Sequence, residues 1–136
     1  KILYLELSEN YHAHIHIISA NRDQVPKLLC VIDLMVLFCQ PGYSRIAASP
    51  TKLGESFASG IPVIANDCIC DVSQNVKTVN GVIIISDTND HNLIDASKIF
   101  FNGNFSKGKE LREKSEELFS LEIARYKYSN IYKDFF

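Results

Sequence analysis

No run of residues in this 136-residue chain approaches the ~18 consecutive apolar side chains that a transmembrane helix needs. The amino end, Lys1-Ile2-Leu3-Tyr4-Leu5-Glu6, has neither the length nor the small-residue cleavage site of a signal peptide. It also lacks an initiator methionine, so Lys1 is expected to be internal to a longer protein. Charge of one sign is missing as well. Fourteen basic against sixteen acidic side chains leave a net charge of −2, which excludes a broad electrostatic footprint for nucleic acid or anionic membrane. Neither a Gly-x-Gly-x-x-Gly fingerprint nor a Gly-Lys-Ser/Thr loop occurs, which argues against dinucleotide oxidoreductases and P-loop enzymes. There is no acidic cluster suited to a divalent metal, no internal repeat, no low-complexity tract and no linker. The four cysteines, Cys30, Cys39, Cys68 and Cys70, stand in apolar or strand-like contexts, not in a loop-rich disulfide scaffold. That pattern points to reduced thiols in a cytoplasmic compartment.

What is present is the composition of one globular domain, 46% hydrophobic and 22% charged, which excludes disorder as the dominant state. Strand-like and helix-period segments alternate. Ile15–Ser19 reads as a strand, Gln24–Ile32 as a short helix with Pro26 in its first turn, and Asp33–Phe38 as a strand covered on both faces. Ser49 to Gly60 reads as a helix that Ser49 caps and Pro50 opens, with Leu53, Phe57 and Ala58 as its apolar stripe. Gly60 and Pro62 stop it. A buried strand follows at Ile61–Ala65, a short helix at Val72–Lys77, and a strand at Val82–Ile85 after Gly81. Helices are expected over His91–Phe101 and Lys107–Phe119, and the spacing of Leu121, Ala124, Tyr128, Ile131 and Phe135 makes the last segment helical. This order predicts an α/β fold, a Rossmann-like three-layer sandwich on a parallel sheet, with the terminal helices (about 107–134) packing on it.

In such sheets ligands lie outside the carboxyl ends of the strands, near helix amino termini. The segment after Phe38 meets that description. The unpaired N–H groups and dipole at the start of the Ser49–Gly60 helix make an anion site, to which Ser49 and Thr51 add hydroxyls and Arg45 and Lys52 add charge. A diphosphate suits this arrangement. Glu55 lies four residues beyond Thr51 on the same helix face, ~6 Å along the axis at 1.5 Å per residue. A carboxylate at that distance matches the reach from a nucleotide phosphate to its ribose hydroxyls. The competing reading makes Glu55 a solvated residue or a partner for Lys52.

The run from Phe38 through Gln40-Pro41-Gly42-Tyr43-Ser44-Arg45 and Ser49-Pro50-Thr51-Lys52-Leu53-Gly54-Glu55 to Ser59-Gly60-Ile61-Pro62-Val63-Ile64-Ala65-Asn66 resembles glycosyltransferase family 4, the group 1 enzymes of the GT-B fold. Val25-Pro26-Lys27-Leu28-Leu29, Asp33 and Asp71-Val72 resemble the flanking parts of that pattern, and the specific match covers roughly residues 19 to 85. The resemblance implies that this chain is the carboxyl-terminal, nucleotide-sugar-binding half of such an enzyme, with the amino-terminal acceptor half absent. It implies a ribose-binding role for Glu55 and a diphosphate-binding role for Ser49, Pro50, Thr51 and Lys52, to which the charge reading above adds Arg45. No catalytic residue is assigned within the chain.

The implied chemistry is transfer with retention at the anomeric carbon, from a UDP- or GDP-sugar substrate to a glycan or lipid-linked acceptor, without cofactor or metal. Arg45, Lys52 and the helix amino terminus would offset charge on the leaving diphosphate. The family implies a role in cell-surface polysaccharide synthesis, in the cytoplasm, and leaves open peripheral association with the inner face of the membrane. The charge balance, and not the family, argues against a nucleic-acid partner. Three departures stand beside these implications. Ala47 occupies the place of the family's first glutamate, Cys68 and Cys70 stand where glycines are common, and the family's basic Arg and Lys pair has no counterpart before Arg22. A nucleoside-diphosphate-binding module without transferase activity is the alternative that Ala47 motivates. Half of a GT-B nucleotide-sugar epimerase would hold the same ligand, but no motif marks it.

The remaining patterns read plainly. His12, His14 and His16 would share one face of a strand, where they could hold zinc or simply face solvent while Ala13, Ile15 and Ile17 are buried. Cys68 and Cys70 match neither a zinc knuckle nor a redox pair. Lys107 to Glu117 is a solvated helix face, and Tyr126, Tyr128, Tyr132, Phe135 and Phe136 suit either core packing or a contact with a membrane or another domain.

Overall fold

The computed structural model describes residues 15–40, 42–43, 51–67, 76–103 and 105–133. Its elements run α1 (Val25–Leu29), β1 (Met35–Leu37), α2 (Thr51–Ala58), β2 (Val63–Asn66), β3 (Val82–Ile85), α3 (Asp90–Asn102), α4 (Lys109–Phe119) and α5 (Leu121–Lys133). The three strands form one parallel sheet in the order β1-β2-β3, with Met35 opposite Val63 and Val63 opposite Val82. The fold is α/β, as the alternation of elements predicts.

Strand alternation divides the apolar side chains between the two faces of the sheet. Leu53 and Phe57 of α2 and Leu111 of α4 pack with Val63 and Ala65, joined by Met35, Leu37, Val82 and Ile84. Ile64, Ile83 and Ile85 point the other way and pack with Ala96 of α3, joined by Leu93, Phe100 and Phe105. Central β2 is buried at all four positions. The run Asp33–Phe38 is covered on both faces only in part: Leu34 joins the α3-side cluster, but that cluster does not extend along β1 to Val36, which is 50% exposed.

Two further expectations need correction. Residues 15–20 carry no regular secondary structure, and Ile17 and Ile18 are exposed. An apolar, β-branched run becomes a strand only where a neighbour completes its ladder, and β1 pairs on its β2 side alone among the described residues. The helix before β1 is also shorter than Gln24–Ile32. The Cys30 amide returns to the Pro26 carbonyl at 3.2 Å, after which Val31 and Ile32 bond back only three residues, the tightened turn of a helix end. Of Val72–Lys77, residues 72–75 lie outside the described residues, and 76–80 form turns.

The end of α2 follows its sequence signals closely. Gly60, at φ +74°, donates to the Phe57 carbonyl at 2.9 Å and Ile61 donates to the Ser56 carbonyl at 2.8 Å, the paired bonds of a Schellman motif. The Gly60 carbonyl then accepts from the Gly108 amide at 3.0 Å, so the exit of α2 is stitched to the entry of α4. At α3, Asn89 caps the helix by accepting from the Asn92 amide at 2.9 Å.

Candidate functional site

Because β1 and β2 are parallel, α2 must run back against them, and its first turn stands at the carboxyl edge of the sheet. Thr51 and Lys52 open the helix there, both exposed, and Glu55 follows one turn later. The helix is anchored from beneath by Leu53 and Phe57, at 1% and 0% exposure, and the buried Ser56 hydroxyl is satisfied within the helix by donating to the Lys52 carbonyl at 2.6 Å. The polar side of the helix is therefore held rigidly toward solvent. Arg45, Ser49 and Pro50, the other members of the expected diphosphate set, lie outside the described residues.

Lys52 and Glu55 are brought together directly. The Lys52 ammonium donates to Glu55 Oε2 at 2.7 Å, with the two side chains 56% and 44% exposed. The pairing of Glu55 with Lys52, one of the two readings open at the sequence level, is the contact present here. At such exposure the pair contributes only about 0–1 kcal/mol, so either partner is readily given up to a stronger one.

Both side chains line a groove of about 520 Å³ between α1 and α2. Arg22, Val25, Pro26 and Leu29 form one wall; Lys52, Glu55, Ala58 and Ser59 form the other. Its size is within the range of small-molecule sites, and its apolar floor carries a few charged groups at the rim. Arg22 was not singled out from the sequence as a ligand contact. The signal available was its place two residues ahead of the Gln24 turn that opens α1.

A second groove, of about 360 Å³, lies in the elbow of α4 and α5. Leu118, Phe119, Ile123, Tyr128 and Ile131 line it with Lys127 as the one charged residue of its lining. It has no carboxylate to accept from a sugar and is less suited to a phosphorylated ligand. On α4, the Glu117 carboxylate accepts a hydrogen bond from Lys114 and raises that ammonium's pKa, a surface ion pair remote from the α1–α2 groove. Among the described residues no cluster of three or more His, Cys, Asp or Glu side chains could hold a metal ion, and His12 and His14 lie outside them. Cys30 is a free thiol. Among the described residues no helix is long and apolar enough to cross a membrane.

No family model matches the chain, and no curated protein or solved structure is significantly similar to it.

Proposed function

We propose that this chain is the donor-binding domain of a retaining glycosyltransferase, a Rossmann-like three-layer sandwich that binds a UDP- or GDP-sugar at the amino end of α2. The observation that carries the reading is the meeting of Lys52 and Glu55 at the carboxyl edge of a parallel sheet, on the wall of a groove that Arg22 also lines. The diphosphate would draw the Lys52 ammonium and the first amides of α2, and Glu55, released from Lys52, would accept from the two ribose hydroxyls. The positive end of the helix would then stabilise the nucleoside diphosphate as it leaves.

The acceptor belongs to the amino-terminal half that the resemblance implies, so the chain by itself is expected to bind donor and not to turn it over. The second reading, a nucleoside-diphosphate module without transfer chemistry, is favoured by Ala47 where the family has its first glutamate. Calorimetric titration with UDP, GDP and their sugar derivatives tests the shared core of both readings. Replacing Glu55 by Ala should weaken binding about five- to tenfold, the loss of about 1–1.4 kcal/mol of charge-assisted hydrogen bonding. Equal affinities of wild type and variant would remove Glu55 from the site. Transfer to an acceptor by the whole protein, with none by the 136-residue chain, would favour the glycosyltransferase over the bare binding module.

A further inference from the structure

Arg22 stands on the wall of the α1–α2 groove in a closed turn. The Gln24 amide donates to the Asn21 carbonyl at 3.0 Å, and the Gln24 side chain accepts from the Asn21 amide at 2.9 Å. Arg22 and Asp23 lie between these reciprocal bonds, so the backbone that carries the guanidinium is set before any ligand arrives. Three charged side chains line the groove. Lys52 and Glu55 satisfy each other, whereas Arg22 has no ion-pair partner among the described residues. Its planar fork of N–H donors is open to a ligand.

The covalent order of a nucleotide decides which part of it meets that fork. Ribose joins the base to the diphosphate, so a ligand held by Lys52 at its diphosphate and by Glu55 at its ribose offers its base to the rest of the groove. There Val25, Pro26, Leu29 and Ala58 supply an apolar surface for a flat ring, and Arg22 lines the same space. We propose that Arg22 reads the base and selects guanine, so that the donor is a GDP-sugar; the inference rests on the donor-binding reading above. Guanine presents O6 and N7 as two neighbouring acceptors, the pair to which a guanidinium donates with both arms. Uracil has no such pair, because its N3–H donor separates O2 from O4. Adenine sets the N6 donors beside N7, against the donors of the fork.

The test titrates GDP, UDP and ADP calorimetrically into the wild-type chain and into Arg22→Ala and Arg22→Gln. The wild type should bind GDP about tenfold more tightly than either of the others, toward the low end of what one bidentate contact discriminates. Both variants should lose that preference through weaker GDP binding, since neither alanine nor glutamine offers two donors to two acceptors. UDP or ADP bound by the wild type as tightly as GDP overturns the proposal, because ring area or contacts to ribose and phosphate then explain binding. An equal loss of GDP and UDP affinity in the variants overturns it too and makes Arg22 a phosphate contact. A preference for GDP that survives in both variants places base selection elsewhere and overturns it as well. Each of these outcomes leaves nucleotide binding in place. Absence of binding by all three nucleotides to the folded wild type overturns the donor reading itself, and this inference with it, and is recognisable as such.

Discussion

At the scale of single residues, the proposed roles of Lys52 and Glu55 would separate function from stability. Their ion pair is exposed and spans one helical turn, so Glu55→Ala should change the free energy of unfolding by less than about 1 kcal/mol while weakening nucleotide binding. A melting curve that drops with the affinity would make Glu55 structural. Gly60 behaves in the opposite manner. Its φ of +74° lies where L side chains are strained, and a Cβ there would meet the Gly108 Cα at 2.6 Å, a backbone atom unable to swing aside. Gly60→Ala should therefore cost more than about 1–2 kcal/mol, measured by denaturant unfolding, because left-handed strain and the forced separation of α2 from α4 add. The turn at Gly60 was legible from Ser59-Gly60-Ile61-Pro62; its contact with Gly108 was not, since nothing in the local pattern of either glycine names the other.

At the scale of elements, legibility followed the source of each signal. The strand Val82–Ile85 and the helix ends at Gly60 and Phe119 lie where local chemistry places them, because turn glycines and helical periodicity act within a few residues. The strand expected at Ile15–Ser19 failed because β pairing is settled by a distant partner. Val36 failed as a buried residue for the same reason: whether an edge strand is covered depends on where α3 lies, and β1's own residues carry no record of that. Of the candidate site, Thr51, Lys52 and Glu55 could be placed from one helix's spacing, whereas Arg22 required the packing of α1 on α2. The strongest joint in that packing is α2 against α4, where Leu111 is fully buried with Phe57, and Phe57 meets Phe119 edge-on at 6.0 Å. Leu111→Ala should cost about 2–5 kcal/mol in equilibrium unfolding, the range for a large-to-small change in a tight core. A cost below ~1 kcal/mol would mean that α4 is not seated on α2.

At the scale of the whole molecule, α5 stands apart from the core. None of its described residues is buried, and Leu121, Tyr126, Tyr128, Ile131 and Tyr132 are all more than half exposed. Ending the chain after Ser120 should therefore shift the melting temperature by no more than a few degrees, consistent with a loss of about 1 kcal/mol. A cooperative core that fails without α5 would contradict this. The proposed site would not involve that helix, since the α1–α2 groove is lined by residues 20–29 and 52–59. Amide chemical-shift mapping of the isotope-labelled protein, titrated with UDP and with GDP, tests that placement most directly. The expected result is a saturable shift that includes Thr51–Glu55 and Arg22–Val25, with the elbow of Leu118, Ile123 and Tyr128 unmoved. Shifts at that elbow alone, or none with either nucleotide, would contradict it.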